Sequence, residues 1–311
     1  MIERLPERGQ IAVLGDVGID FYFDLGQSLA PDEKAYAVRS RRDLGGTAAN
    51  SAAAILALGG MPILAGLVGS DALGDVVRGM VRDHDLSSRH LRVAPGSTMV
   101  AVVVLRGDDR EVVVDRGVVD DGAWSALETI TSGADLIYLS GTPLSVAEEV
   151  LRSAGKRPVV VGIEARQLSA ANASSWLAVW RDSQLLLTNL AGQRALAALG
   201  VWGAASEVWP GPVAVTMGRE GAVLMSYNDA GVRFRALPVE PVDTTGAGDC
   251  FAGAVCYFMS QGEPVLQSVR LGIAAAGLST LKLGSQGRLP SREEVLDAVH
   301  DIGDGEEVGR L

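Results

Sequence analysis

Residues 242–249 read Val-Asp-Thr-Thr-Gly-Ala-Gly-Asp and run straight into the apolar segment 251–258. Two glycines here point to a tight turn before a helix. Such a turn leaves the backbone N–H groups of Gly246, Ala247 and Gly248 bare. With the positive end of the helix dipole, they form an anion site that needs no lysine. Asp249 adds a carboxylate at the edge of that site. Phosphoryl transfer to a hydroxyl needs such an anion cradle with an adjacent base. On spacing alone, the same residues also describe an ordinary strand-to-helix turn with an acid in the first helical turn.

The remainder of the chain reads as strands alternating with helices. Short apolar runs at 11–14, 62–68, 136–139, 158–163, 184–188 and 213–216 are expected as strands. Helices are expected at 48–58, stopped by Gly59-Gly60, and at 72–83, with Asp71 as N-cap. This rhythm implies parallel βαβ units in one doubly wound α/β domain over 1–311. The pieces near 21–44 and 97–118 are strand-like but fall outside it. They include 21–25, 99–105 and 111–115, the last two joined by a hairpin turn at 106–110. A second hairpin is expected between 222–227 and 232–236, around Asn228-Asp229-Ala230-Gly231. After Asp249 the chain reads as mostly helical, with a polar, frayed end at 303–311.

Composition excludes several classes. The formal net charge is −11, so binding nucleic acid by phosphate neutralisation is not expected. No uncharged apolar run reaches membrane-spanning length. Met1-Ile2-Glu3-Arg4 lacks the apolar region of a signal peptide. Cys250 and Cys256 lie six apart on one expected helix and turn to different faces, which suits a reduced, cytoplasmic protein. His84, His90 and His300 are scattered without metal-ligand spacing and are expected at the surface. Gly15 and Gly18 do not make the G-x-G-x-x-G of a dinucleotide-binding dehydrogenase.

Two motifs stand at opposite ends of the chain: Gly45-Gly46-Thr47-Ala48-Ala49-Asn50, and Asp243-Thr244-Thr245-Gly246-Ala247-Gly248-Asp249. With 15–20 and 215–221, they give the chain a resemblance to the ribokinase-like (PfkB) family of sugar and nucleoside kinases. The resemblance implies a three-layer α/β/α fold with a mostly parallel central sheet. It also implies a small β lid from 21–44 and 97–118, often used for dimerisation. The implied activity is transfer of the γ-phosphoryl group of ATP, with Mg²⁺, to a primary hydroxyl of a sugar. A nucleoside kinase and a non-catalytic sugar sensor are the alternatives. Asp249 would be the general base, and Gly246, Ala247 and Gly248 would hold the moving phosphoryl group. Asp16 and Asp20 would accept substrate hydroxyls. Gly45 and Gly46 would let the sugar approach the backbone, and the Asn50 amide would donate to and accept from vicinal hydroxyls. Asn189, Thr216, Gly218 and Gly221 match nucleotide-contact positions. Asp243 and Thr245, with carbonyls of 280–285, match a site for a monovalent cation such as K⁺.

The chain also departs from the family pattern. The N-x-x-E of relatives, whose Glu organises Mg²⁺ through water, is here Asn189-Leu190-Ala191-Gly192. Their D-x-N-x-R is here Gly162-Ile163-Glu164-Ala165-Arg166. Mg²⁺ keeps several waters, so the displaced carboxylate of Glu164 is expected to compensate. Gly18, Thr47, Gly141 and Ile273 also differ from ribokinase-type sequences and argue against ribose as the substrate. Only Phe21, Tyr22, Phe23 and Tyr36 supply aromatics in the expected lid, which favours a plain sugar over a nucleobase. Arg39, Arg41 and Arg42 near the lid suit either an acidic sugar or a solvated strand edge.

Overall fold

Strand β1 (Gln10–Gly15) contains four consecutive residues, Ile11 to Leu14, with no exposed surface. An unbroken apolar run suits a strand covered on both faces. In the computed structural model, which describes residues 9–26, 34, 36–106, 109–118, 124, 127–202, 211–225 and 231–308, β1 lies inside a ten-stranded sheet. It pairs in parallel with β4 (Met61–Gly69) on one side and β8 (Leu136–Ser140) on the other. Strand β5 (His90–Ala94) extends the sheet beyond β4. Beyond β8 follow β9 (Val159–Gly162), β10 (Leu185–Asn189) and β11 (Val213–Thr216), all parallel. The antiparallel strands β12 (Ala222–Met225), β13 (Gly231–Phe234) and β14 (Glu306–Val308) complete it.

One face of the sheet is covered by α1 (Thr47–Ala57), α2 (Ala72–Asp83), α7 (Ala247–Ser260), α8 (Val265–Ser279) and α9 (Arg292–Ala298). The other carries α3 (Leu127–Thr131), α4 (Leu144–Ser153), α5 (Ala173–Asp182) and α6 (Leu190–Ala198). The chain leaves β1 toward β4 on one side and later toward β8 on the other. A crevice therefore opens at the carboxyl ends of the strands beside β1, where ligands of such sheets bind. Helix α1 is alanine-rich and buried from Ala48 to Ile55. Its small side chains let α7 come close enough for Ser51 Oγ to donate to the Asp249 carbonyl at 3.0 Å. Asp71 caps α2 as expected, accepting from the Gly74 N–H at 2.9 Å, and its carboxylate also takes the Thr98 N–H.

A separate four-stranded sheet lies outside this rhythm, in the order β3 (Arg39–Gly45), β2 (Gly18–Asp24), β6 (Met99–Arg106), β7 (Asp109–Asp115). Strand β2 begins at Gly18, earlier than the expected 21, because Gly18 pairs with both Gly45 and Met99. The turn residues 107–108 and the hairpin residues 226–230 lie outside the described residues.

Three expectations are corrected. Residues 306–308 form an antiparallel edge strand on β13, not a frayed end of a helical region. The pairing is tertiary: three residues are too few to show a strand period. His90 is half-buried on β5, whereas His84 and His300 are exposed as expected. Asp20, in the 15–20 motif ahead of the lid piece expected from 21, lies on β2 and so within the lid. Cys250 and Cys256 are both free and buried. Among the described residues, no helix is long and apolar enough to cross a membrane.

Candidate active site

The anion loop forms because Gly246 takes the left-handed conformation, φ 74°, and α7 starts immediately after it. The expectation of three bare N–H groups is adjusted, because the Ala247 N–H turns back to the Thr244 carbonyl at 3.3 Å. Among the described residues, the N–H groups of Gly246, Gly248 and Asp249 have no acceptor within the chain. These groups and the helix dipole are what an anion would meet.

Asp249 stands at the centre. Asn50 Nδ2 donates to its Oδ2 at 2.9 Å. Burial pushes the Asp249 carboxyl up to about 7; the Asn50 hydrogen bond opposes this, while Glu164, Asp20 and Asp16 add to it. A carboxylate so placed suits proton abstraction near neutral pH. Asn50 is itself fixed, because its Oδ1 accepts from Gln286 Nε2 at 2.9 Å, and the same nitrogen reaches the Leu44 carbonyl at 3.0 Å. Gln286 thus takes one of the two lone pairs of the oxygen that Asn50 was expected to offer a sugar hydroxyl. Only its amide nitrogen faces the base.

Two more carboxylates gather on the lid side of Asp249. Asp20 is nearly buried and lies so close against Gly45 that an added Cβ there would collide with its carboxylate. Asp16 is held by Arg166 Nη2 at 2.7 Å and approached by Arg116 at 3.8 Å. Burial raises the Asp16 pKa and the two arginines oppose it. Arg166 also binds Glu164 through Nε, at 2.6 Å. Gly141 lies under this ion pair: a Cβ there would come within 3.0 Å of Asp16 Oδ2 and 3.1 Å of Arg166 Nη2. The space that an acid at 141 would need is thus filled by Arg166.

The departure at Gly192 has a similar cause. A Cβ there would collide with Thr188 Oγ1, which donates to the Ile163 carbonyl at 2.8 Å. Asn189 caps α6, accepting from the Gly192 N–H at 3.0 Å.

On the other side of Asp249 lies a cavity of about 530 Å³ between the 216–222 turn, the 236–241 segment and helices α7 and α8. Thr216, Gly218 and Gly221 line it, as expected. Ala247 and Gly248 form one end, and Phe251, Ile273 and Ala276 give it apolar walls. Its size and apolar lining suit a nucleotide whose phosphates point at the α7 N-terminus. Asn189 is not among the lining residues.

Asp243 and Thr245 form the base of the loop. Asp243 Oδ1 accepts from the Thr245 N–H at 2.9 Å and from Thr245 Oγ1 at 2.6 Å; its Oδ2 accepts from the Gly284 N–H at 2.7 Å. Gln286, Arg116 and the bridging role of Arg166 escaped sequence reasoning. Their partners lie far away in the chain, so no local pattern marks them.

Residues 8–292 match the family model described as pfkB family carbohydrate kinase. Ribokinase of Bacillus subtilis is 26% identical over 296 residues, covering 92% of this chain and 97% of that protein. Bifunctional protein HldE of Caulobacter vibrioides is 29% identical over 293 residues, which is 88% of this chain and 60% of that relative's length. Among solved structures, Arabidopsis thaliana ribokinase complexed with ribose and ATP superposes with a TM-score of 0.76 at 21% identity, covering 94% of this chain and 99% of that one. The layered sheet and its detached lid are therefore a known arrangement.

Proposed function

The chain belongs to the pfkB family of carbohydrate kinases, and from that premise we propose that it transfers the γ-phosphoryl group of ATP to a primary hydroxyl of a sugar, with Asp249 as general base. One observation carries the reading: Asp249 follows directly on Gly248, at the end of a cavity of nucleotide size, and its carboxyl feels the charges of Glu164, Asp20 and Asp16. In this reading Asp16 and Asp20 accept hydroxyls and orient the sugar. Asp249 takes the proton of the attacking hydroxyl. The N–H groups of Gly248 and Asp249 hold the charge on the transferring group. Thr216, Gly218 and Gly221 place the nucleotide, and Asn189 contributes as the cap that fixes the adjacent helix. With Arg166 over Gly141, the preferred sugar is one other than ribose.

The test is coupled ADP release, with ATP and Mg²⁺, against hexoses, pentoses, sugar acids and nucleosides. Turnover on one sugar class is the expected result. Turnover only on nucleosides would move the assignment within the family. No turnover on any compound, together with sugar-dependent thermal stabilisation, would replace the kinase by a sugar sensor.

Mg²⁺, bound with ATP, would offset the charge of the phosphates. Glu164 is the residue we assign to it, through water, because its carboxylate is 38% exposed and its charge is felt at Asp249. Glu164→Gln is expected to raise the Mg²⁺ concentration for half-maximal turnover several-fold, since Mg²⁺ is held by few carboxylates. An unchanged Mg²⁺ titration would remove Glu164 from this role.

The partner we assign to the lid is a second copy of the chain. Phe21, Phe23, Val102, Val104 and Val113 share one face of the lid sheet by register, and Val113 is 67% exposed. Sedimentation should show a dimer that Val113→Asp weakens; a wild-type monomer at micromolar concentration would refute this.

A further inference from the structure

Beside the anion loop, the Asp243, Thr280 and Leu283 oxygens that a monovalent cation would share are already engaged within the chain, and the Ser285 hydroxyl is a buried oxygen left without a partner among the described residues. Both Asp243 oxygens are engaged by Thr245 and Gly284. The Thr280 carbonyl accepts from the N–H groups of Val242 and Asp243, at 2.8 and 3.0 Å. The Leu283 carbonyl is taken by a positive charge that the chain supplies itself, Arg41 Nη1 at 2.8 Å.

Arg41 lies on β3, in the lid, yet its guanidinium reaches the loop that supports the α7 N-terminus. It stacks 4.5 Å from the centre of the Tyr22 ring and pairs with Asp43 at 2.8 Å. Gly284 makes this possible, because a Cβ there would occupy the place of the guanidinium. Contacts then run from Arg41 to Leu283, from the next residue's N–H to Asp243, and from Asp243 to Thr245, one residue before Gly246.

We propose that Arg41 is the resident cation of this elbow and the positioning residue that ties the lid to the anion loop, so that K⁺ is not required. A guanidinium holding a carbonyl and stacked on an aromatic face does by side chain what a bound ion would do by coordination. The proposal goes beyond the kinase reading and rests on it only where nucleotide is bound.

The experiment compares the full-length chain in KCl and in choline chloride at equal ionic strength, reading thermal melting and the affinity for a non-hydrolysable ATP analogue. Wild type is expected to melt at the same temperature in both salts and to bind the analogue equally. Arg41→Met is expected to bind the analogue about tenfold more weakly in choline, the scale of one charge-assisted hydrogen bond. KCl is expected to restore part of that loss, and Arg41→Lys to retain most of the affinity. Should Arg41→Met fail to fold, Gly284→Ala displaces the guanidinium while leaving the charge in the chain. A wild-type melting temperature that climbs with KCl would reveal a true K⁺ site and overturn the proposal, because a ligand of the native state stabilises it. Unaltered analogue binding by Arg41→Met in choline would overturn it equally. If the wild-type chain binds no analogue at all, the kinase reading fails, while the melting comparison still decides the cation.

Discussion

Replacing Asp249 by Asn is expected to lower turnover by about 10²–10⁴, the usual contribution of a general base, and at the same time to make the protein harder to unfold above neutral pH. The two effects share one origin. Burial holds the carboxyl at about 7 in the folded chain, against about 4 when unfolded. A folded pKa above the unfolded one means that ionisation opposes folding. The cost is absent below about pH 4, grows between 4 and 7, and is fully present above 7. A three-unit shift corresponds to about 4 kcal/mol. Asp249 opens toward the cleft, so only part of that is recovered, giving a rise of a few degrees in melting temperature at pH 8. Asparagine keeps a carbonyl oxygen for Asn50 Nδ2, so the local geometry survives. In the wild type, kcat/KM should fall below about pH 7 with unit slope. Melting and rate profiles from pH 5 to 9 check both. A variant that is inactive and also destabilised at pH 8 would show that Asp249 is held by attraction instead of strained by burial.

Gly246→Ala should lose activity and stability together. The residue sits at φ 74°, and a Cβ there would lie 2.7 Å from Ser285 Cβ and 2.9 Å from the Ser285 carbonyl oxygen. The left-handed conformation costs a residue with a Cβ about 1–2 kcal/mol, and forcing extra atoms into a packed site costs about 1–3 kcal/mol more. A fall in melting temperature of roughly 3–8 °C follows for a chain of this size. Relief of the clash moves the start of α7, and with it the N–H groups of Gly248 and Asp249. Misaligning such donors lowers kcat by about 10²–10³. Differential scanning calorimetry and single-turnover ADP release on the same preparation check this. The contrast with Asp249→Asn separates a damaged cradle from a missing base. Wild-type melting and turnover in the Gly246→Ala variant would mean that the loop is not rigid in solution.

The two motifs around Asn50 and Asp249 were legible because each is a compact run of small residues at a helix start. Their chemistry is local: glycine for the turn, free N–H groups, an acid in the first turn. The apolar runs at β1, β8 and β10 were equally legible, since strands buried on both faces show up as unbroken hydrophobic runs. Asp20 fell outside the lid expected from 21 because the strand-like run of side chains begins at Phe21, whereas pairing with β3 and β6 draws the chain into a strand from Gly18. Strand β14 exists only because β13 offers an open edge. Gln286 lies 236 residues from Asn50, and Arg41 lies 242 from Leu283. Contacts of that span are made by the fold and leave no periodicity behind. The same holds for Arg166, whose role follows from Gly141 lacking a side chain a strand away.

The lid sheet shares no main-chain ladder with the ten-stranded sheet among the described residues. Swinging it outward would therefore break no backbone pairing, only side-chain contacts such as those of Arg41 and Arg116. The Gly246–Gly248 loop, by contrast, presents backbone atoms, which most side-chain substitutions around it leave in place. Change in what the protein accepts is thus channelled into the detached plate and its few anchors, while the chemistry beneath it stays constant.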